Sequence, residues 1–316
     1  MNREKIIAGL ILLLCLLAVV AGVVLVIRPG GGKDVLGSVT GKKALSSEPG
    51  IAIVYIYGSL FVPEQSGPWG RFLSGTDRIV EQLKKIERLE QVKAVVLRIN
   101  SPGGTVGSVQ EIYNQVGKLK EKGKKIIACT GDVCASGGYY IACASDKIVA
   151  NPGAITGSVG VIMTAGNAQE LFRKIGVKIE VIKSGKYKDM GSPAREMTSE
   201  EKTLIQGVID DAYAQFLDVV VKGRGLDLNR AKDLCQGQIY TGRQAKDAGL
   251  VDETGDLRDA IRIAGELSGL GPEPKIIEME KSLYKLIDFL NEAIPAESVR
   301  NLFRARNGMS LEYMME

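Results

Sequence analysis

The sequence predicts an α/β fold built on a mainly parallel sheet, with a helical C-terminal part. Two observations support this prediction: runs rich in β-branched residues alternate with segments of helical apolar spacing, and the chain becomes mostly helical after residue 199. Strands that alternate with helices are joined by right-handed crossovers, so they lie parallel and are covered by helices. Because the 316 residues contain no internal repeat, we expect one folded domain.

Each predicted element has its own local pattern. Residues 77–89, for example, place Ile79, Leu83 and Ile86 on one face of a helix. The predicted strands are residues 51–57, 92–99, 125–129, 147–150 and 177–182. The predicted helices are residues 77–89, 108–122, 139–144, 168–175, 200–222, 228–234 and 257–267. Residues 237–252 predict a turn, a short helix and a strand-like ending.

The N-terminus predicts a membrane anchor. Residues 6–27 are 22 consecutive uncharged positions, mostly Leu, Ile, Val and Ala, between Lys5 and Arg28. As a helix this length spans a hydrocarbon core of about 30 Å. A cleaved signal peptide usually has a shorter apolar region and a small-x-small site, which is poorly matched here. We therefore expect an uncleaved transmembrane helix, and the short basic tail before it favours a large domain outside the cytoplasm.

These patterns give a domain plan. Residues 1–5 form a short tail, residues 6–27 the anchor and residues 28–49 a flexible linker rich in Gly, Ser and Lys. Residues 50–271 form the folded domain, and residues 272–316 a C-terminal extension or tail.

Composition excludes several classes of function. The chain has no histidine, so it cannot form a Ser-His-Asp triad or a His-based metal site on its own. Its net charge of +4 is weak, and no basic tract is interleaved with aromatic residues, so we expect no nucleic-acid partner. We also expect no metal and no cofactor.

The cysteines are expected to be buried free thiols. They are Cys15, Cys129, Cys134, Cys143 and Cys235. The odd number argues against a disulfide framework, and the spacing matches no common zinc site. A Cys129–Cys134 or Cys134–Cys143 bridge stays open if this part of the chain lies outside the cytosol.

Ser136 is the candidate nucleophile. It lies between a predicted strand and a predicted helix, and Gly137 and Gly138 follow it directly. Two glycines at such a turn let the backbone approach a bound carbonyl. The pattern is close to a nucleophile elbow, although Cys134 replaces the first glycine of G-x-S-x-G. On its own the string is more typical of an ordinary turn.

Three further stretches could converge on Ser136. The turn 100–104, which ends in Gly103 and Gly104, exposes backbone N–H groups suited to an oxyanion hole. The loop 182–189 offers three lysines, any of which could be a base if desolvation lowered its pKa from about 10.4 to about 7. The turn 156–160 offers hydroxyls that could orient a lysine. The alternatives are ordinary glycine turns and a solvated basic loop.

Several of these motifs, in this order, resemble one family. The residues that carry the resemblance are 100–104, 135–140, 146–148, 156–162, 183–189, 192–197, 242–245 and 251–252. They resemble the signal peptide peptidases, serine proteases with a Ser-Lys dyad that are related in fold to the Clp protease subunit and to crotonases. The match covers about residues 51–264 and looks like the short, single-domain bacterial form.

The resemblance implies a role for each matching position. Ser136 matches the nucleophile, Lys188 the general base, and Ser158 the hydroxyl that orients the lysine. Gly137 and the Gly103/Gly104 turn match the oxyanion hole, with the choice between those two glycines left open.

The resemblance also implies the setting of the reaction. The enzyme would be a single-pass protein of the bacterial inner membrane with its catalytic domain on the extracytoplasmic side, anchored in the bilayer by residues 6–27. It would form a ring-like homo-oligomer, octameric in the short form, with Ser and Lys contributed by neighbouring subunits. Its substrates would be remnant signal peptides and similar apolar peptides.

The sequence leaves three other functions open. A membrane-anchored Ser-Lys protease could act on membrane regulatory proteins instead. A crotonase-like acyl-CoA enzyme would need a carboxylate near the turn, and the anchor argues against it. A non-enzymatic membrane scaffold would be favoured if Ser136 or Lys188 were replaced, and both are present.

Overall fold

A computed structural model describes residues 48–61, 75–277 and 312–314. The predicted anchor at residues 6–27 and nearly all of the linker at residues 28–49 lie outside these ranges, as does the C-terminal extension apart from residues 272–277 and 312–314. Within the described ranges, none of the helices combines the length and the apolar character needed to cross a membrane.

The central sheet is mainly parallel, as predicted. The strands are β1 (Gly50–Tyr57), β2 (Val92–Ser101), β3 (Gly103–Thr105), β4 (Lys125–Ala135), β5 (Lys147–Ala150), β6 (Ile155–Gly157), β7 (Ile239–Thr241), β8 (Glu253–Thr254) and β9 (Glu312–Met314). Five of them run parallel in the order β1-β2-β4-β5-β8. The second half of β4 pairs in parallel with β6, and β7 is antiparallel to β6. β3 and β9 form a separate antiparallel pair.

The described helices lie close to the predicted ones. They are α1 (Gly75–Glu87), α2 (Val106–Glu121), α3 (Gly137–Ala142), α4 (Gln169–Lys174), α5 (Ser199–Arg224), α6 (Leu228–Leu234), α7 (Gly242–Ala248) and α8 (Leu257–Leu267). The longest, α5, begins with a capping box in which Thr198 and Glu201 bond each other's backbone N–H groups. It ends at Gly225, whose φ of 62° is the left-handed conformation that glycine adopts readily.

Both faces of the sheet are buried, which is why its strands read as nearly continuous apolar runs. On one face, Val54 and Ile56 of β1 pack in the large core that includes residues of α1, α2 and α3. On the other face, Ile51 and Val96 pack against Ala260 and other residues of α8. Packing on both faces therefore fixes the backbone of the central strands up to their carboxyl ends, where Ser136 and the Gly103/Gly104 turn lie.

One predicted strand is wrong. Residues 177–182 form no strand, and every one of them is exposed. A strand needs a neighbour to satisfy its backbone N–H and C=O groups, and no described segment pairs with this one. These residues belong to a longer segment, 161–200, in which no residue is buried. We call residues 161–200 the arm.

A largely buried ion pair joins α5 to Asp252, the residue directly before the edge strand β8. Arg224 Nη1 donates to Asp252 Oδ2 at 2.8 Å, and the same oxygen accepts the Ile148 N–H at 2.8 Å. The side chain of Arg224 is only 7% exposed. Removal of Asp252 would leave this guanidinium buried without its carboxylate.

We therefore expect Asp252→Ala to lower the free energy of unfolding by about 3–5 kcal/mol, because breaking a buried pair leaves an uncompensated charge. Urea unfolding followed by circular dichroism measures this loss. Asp218→Ala, an exposed position on α5, is the control and should change stability by no more than about 0.5 kcal/mol. Equal, small effects of both substitutions would contradict the proposed importance of the pair.

Candidate active site

Ser136 occupies a strained turn between β4 and α3. Its φ of 51° and ψ of −119° lie outside the regions that residues with a side chain ordinarily adopt. The turn is held on both sides: the Ser136 N–H donates to the Gly157 carbonyl at 2.8 Å, and the Ser136 carbonyl accepts the Tyr140 N–H at 2.9 Å. Such strain costs about 1–3 kcal/mol and persists only where the surroundings impose it. The conformation fits the nucleophile elbow that the sequence suggested.

The hydroxyl of Ser136 is buried but unpaired. Ser136 is 1% exposed, and its Oγ has no hydrogen-bond partner among the described residues. A buried hydroxyl without a partner normally costs free energy, so such groups are rare and often functional. This hydroxyl can still donate its proton to an incoming base.

The turn after β2 is built from side-chain hydrogen bonds. Asn100 Oδ1 accepts the N–H groups of Asp132 and Val133 at 3.2 and 3.0 Å, which ties the turn to the end of β4. Ser101 Oγ donates to the Gly58 carbonyl at 2.7 Å and accepts the Gly103 N–H at 3.1 Å. The path from β2 to β3 is therefore fixed beside the strand that carries Ser136.

Both glycines of this turn are needed for steric reasons. Gly103 has a φ of 111°, which side chains disfavour. A Cβ on Gly104 would lie 1.7 Å from the Leu60 carbonyl oxygen, so only glycine fits beside Leu60. The two N–H groups differ. The Gly103 N–H donates to Ser101 Oγ. Leu60 forms backbone hydrogen bonds with Gly103 and Thr105, the residues on either side of Gly104. Because backbone groups alternate in direction along an extended chain, the Gly104 N–H points away from Leu60.

Gly137 is the first residue of α3. N–H groups in the first turn of a helix have no acceptor within the helix. The Gly137 N–H therefore remains available beside the Ser136 hydroxyl. This is the arrangement that an oxyanion hole requires of a backbone donor.

Ser158 lies next to Ser136 across the sheet. Ala135 of β4 pairs with Gly157 of β6, so the residues that follow, Ser136 and Ser158, end neighbouring parallel strands. Ser158 also has a positive φ of 51°, and its N–H donates to the Gln238 carbonyl at 2.8 Å. It is half-buried. The structure thus brings Ser136, Ser158, Gly137 and the Gly103/Gly104 turn to one end of the sheet.

Lys188 lies apart from this group, on the exposed arm. No hydrogen bond or ion pair among the described residues links it to Ser136 or Ser158. The other two lysines of the loop are engaged: Lys183 Nζ bonds Asp189 Oδ1 at 2.5 Å, and Lys186 bonds Glu200. The hydrogen bond that Lys186 donates to Glu200 raises the pKa of Lys186. Lys188 is the one lysine of the three without an ion pair in the described part of the chain.

Sequence reasoning missed the residues that hold this loop. Arg195 lies between Asp189 and Glu201 and donates to both carboxylates. These hydrogen bonds lower the pKa of Glu201 to about 2 and hold the pKa of Asp189 well below its usual range. The Thr198-x-x-Glu201 capping-box pattern was a sequence signal for Glu201. No local pattern indicated that Arg195 would join the two acids.

The described cysteines are buried free thiols, as predicted. Cys129, Cys134, Cys143 and Cys235 form no disulfide. Burial raises the pKa of Cys143 to about 12 and that of Cys235 to about 11, so these thiols are poor nucleophiles. No group of three or more Cys, Asp or Glu side chains in the described ranges is arranged to hold a metal ion.

An extended segment of the chain lies along the glycine turn. β9 pairs antiparallel with β3, with Gly103 opposite Met314 and Gly104 opposite Tyr313. β9 also lies close to α3, the helix that begins after Ser136. The edge of β3 therefore accepts an extended peptide backbone next to the candidate nucleophile.

The strain at Ser136 gives a direct stability prediction. Ser136→Gly should be more stable than Ser136→Ala by about 1 kcal/mol, because glycine tolerates the positive φ while alanine keeps the strain. Ser145 is the matched control: it is also buried with an unpaired hydroxyl, but it is not among the described residues with positive φ. There the glycine variant should be the less stable one. Thermal unfolding of the four variants measures both differences, and the same order at both sites would contradict the strain at Ser136.

Comparison with known proteins identifies the family of this chain. The family model described as Peptidase family S49 matches residues 118–271. The chain is 46% identical to "Putative protease slr0021" of Synechocystis sp. over 65% of this chain and 73% of that protein. It is 44% identical to "Putative signal peptide peptidase SppA" of Enterococcus faecium over 57% of this chain and 52% of that protein. It is 30% identical to "Serine protease SPPA, chloroplastic" of Arabidopsis thaliana over 83% of this chain and 37% of that protein. The chain belongs to peptidase family S49 and is a serine peptidase.

Proposed function

We propose that this peptidase cleaves apolar peptides with Ser136 as nucleophile and Lys188 as general base. The observation that carries the proposal is the state of Ser136 at the start of α3: its backbone is strained, and its hydroxyl is buried and unpaired. Gly137 and Gly104 supply the oxyanion hole. Gly104 is preferred to Gly103 because the Gly103 N–H already donates to Ser101, whereas the Gly104 N–H faces the position of β9, where an extended substrate would lie.

Lys188 is preferred among the lysines because the other two already have carboxylate partners. Lys183 bonds Asp189 and Lys186 bonds Glu200, so each of these ammonium groups is already held by a carboxylate. A base must be neutral, and a lysine becomes neutral near pH 7 only when it is removed from water. Lys188 therefore has to be buried against another surface in the active enzyme, and Ser158 orients it there.

The reaction follows from these roles. Neutral Lys188 takes the Ser136 hydroxyl proton as Ser136 Oγ attacks the peptide carbonyl carbon. The N–H groups of Gly137 and Gly104 stabilise the oxyanion. As the tetrahedral intermediate collapses, Lys188 gives the proton to the leaving amine and an ester to Ser136 remains. Lys188 then takes a proton from water, the hydroxide attacks the ester, and the proton returns to Ser136 Oγ.

The substrate binds as an extended strand at the edge of β3. The pairing of β9 with β3 supports this mode, because the same backbone groups can hold any peptide that lies there. Residues 6–27 anchor the chain in the bacterial inner membrane, with the catalytic domain outside the cytoplasm. There it degrades remnant signal peptides. Membrane regulatory proteins are the alternative substrates. The name of the Enterococcus faecium relative favours signal peptides.

A second copy of the chain completes the site, in a ring-like homo-oligomer. The arm supports this part of the proposal, because it carries many large apolar side chains yet has no buried residue within one subunit. Its exposed large aliphatic side chains are Ile162, Leu171, Ile175, Val177, Ile179, Val181 and Ile182. Such a surface on a single chain indicates an interface. An arm that packs on the neighbouring subunit would bury Lys188 and carry it to that subunit's Ser136.

Mixing inactive variants tests the shared site. Ser136→Ala and Lys188→Ala, each made in the full chain in detergent, should both lose at least about 10³-fold in kcat on a fluorogenic apolar peptide. Lys186→Ala should keep most of the activity. Co-assembly of the two inactive variants should restore part of the activity, because some interfaces then hold an intact Ser136 and an intact Lys188. Full activity of Lys188→Ala would refute its role as base, and assembled mixtures without activity would refute the shared site.

Charge on the arm should prevent assembly. Ile182 is 98% exposed in one subunit, so Ile182→Glu should shift the protein toward monomers and remove activity in parallel. Leu267→Glu, at a position 41% exposed on α8, should leave both unchanged. Light scattering coupled to size-exclusion chromatography measures the assembly. An Ile182→Glu variant that stays assembled and active would contradict the proposed use of the arm.

A further inference from the structure

The loop that carries Lys188 has no buried residue to hold it. No residue of the arm is buried, and residues 183–188 are all exposed. A segment with few buried contacts is ordered only by its hydrogen bonds and ion pairs. The position of Lys188 in space therefore depends on polar contacts in this loop.

These contacts end on two neighbouring acids at the start of α5. Glu200 accepts hydrogen bonds from Lys186 and Tyr187. Glu201 accepts from Arg195, which also holds Asp189, the residue directly after Lys188. The loop is thus attached on both sides of Lys188 to the first turn of a long helix.

Arg195 makes the most extensive of these attachments. Its Nε and Nη2 donate to the two oxygens of Asp189 at 2.9 and 2.7 Å. Its Nη1 and Nη2 donate to the two oxygens of Glu201 at 2.8 and 2.5 Å. The planar guanidinium matches both carboxylates at once, which fixes direction as well as distance. A lysine ammonium in its place could not reproduce this geometry.

The far end of this chain of contacts is rigid. Glu201 also accepts the Thr198 N–H at 2.9 Å in the capping box, and it is only 3% exposed. Phe216 and Val220 in the second half of α5 are fully buried in the core. A continuous path therefore runs from the core through α5, Glu201, Arg195 and Asp189 to Lys188.

We propose that Arg195 is a positioning residue for catalysis: clamped between Asp189 and Glu201, its guanidinium fixes the place from which Lys188 reaches Ser136. This inference rests on the proposed role of Lys188 as base. Arg195 does not touch the reacting atoms. Because misplacement by about 1 Å can cost about 10²-fold in rate, loss of the fork should lower kcat without weakening substrate binding.

The test compares Arg195→Lys with a matched arginine elsewhere. Arg262 on α8 also pairs with two acids, Glu266 and Asp259, and lies outside the arm. In the full chain in detergent, Arg195→Lys should lower kcat by about 10–100-fold, with KM within about twofold of the parent and assembly and thermal midpoint unchanged. Arg262→Lys should match the parent in all four measurements. Asp189→Asn, which keeps an acceptor for Arg195 but removes the charge, should give a smaller fall in kcat.

The outcomes separate this inference from the proposed function. If Lys188→Ala is inactive while Arg195→Lys and Asp189→Asn keep full kcat, the positioning role is refuted and the base assignment stands. If Arg195→Lys loses assembly or thermal stability together with kcat, Arg195 is structural and the inference is also refuted. If Lys188→Ala itself keeps full activity, the proposed function fails and this inference fails with it.

Discussion

The site depends on one backbone conformation, the positive φ of Ser136 at the junction of β4 and α3. A side chain at this φ is unfavourable, so the surrounding structure has to impose it. On the strand side, β4 pairs with β6 and the Ser136 N–H donates to the Gly157 carbonyl. On the helix side, the Ser136 carbonyl accepts the Tyr140 N–H of α3. The result is a hydroxyl that is fixed, buried and unpaired beside two glycine-containing segments, the Gly103/Gly104 turn and the start of α3. The rest of the domain can be understood as the support for that turn.

The candidate site residues lie in two parts of the domain, the packed sheet and the exposed arm. The candidate nucleophile and oxyanion groups lie at the ends of strands buried on both faces, where position is set by the core. The candidate base lies on the arm, which has no buried residue and is ordered by charge-assisted hydrogen bonds. Under the proposed function, a single subunit has no base beside its Ser136, and activity requires the arm to pack on a neighbour. Proteolysis would then be confined to the assembled enzyme.

Much of the fold could be predicted from local patterns. The features that could not be predicted depend on contacts with distant parts of the chain or with another molecule. The strand at residues 147–150 and the helices at residues 228–234 and 257–267 have the predicted bounds, because their apolar periodicity reflects burial within one chain. The run at residues 177–182 carries the same β-branched signal but has no strand partner among the described residues. β9 is three residues long and has no periodicity to detect, and the link from Arg195 to two acids depends on tertiary contacts. Sequence patterns predict that a surface is buried, not what covers it.

The most direct test of the account is the structure of the assembled full-length protein in a lipid nanodisc by electron cryomicroscopy. The quantity to measure is the distance from each Ser136 Oγ to the nearest lysine Nζ. The account predicts that this lysine is Lys188 of a neighbouring subunit, within about 2.6–3.2 Å, with Arg195 still between Asp189 and Glu201. An assembly in which Lys188 stays in solvent, while another group faces Ser136, would contradict the account.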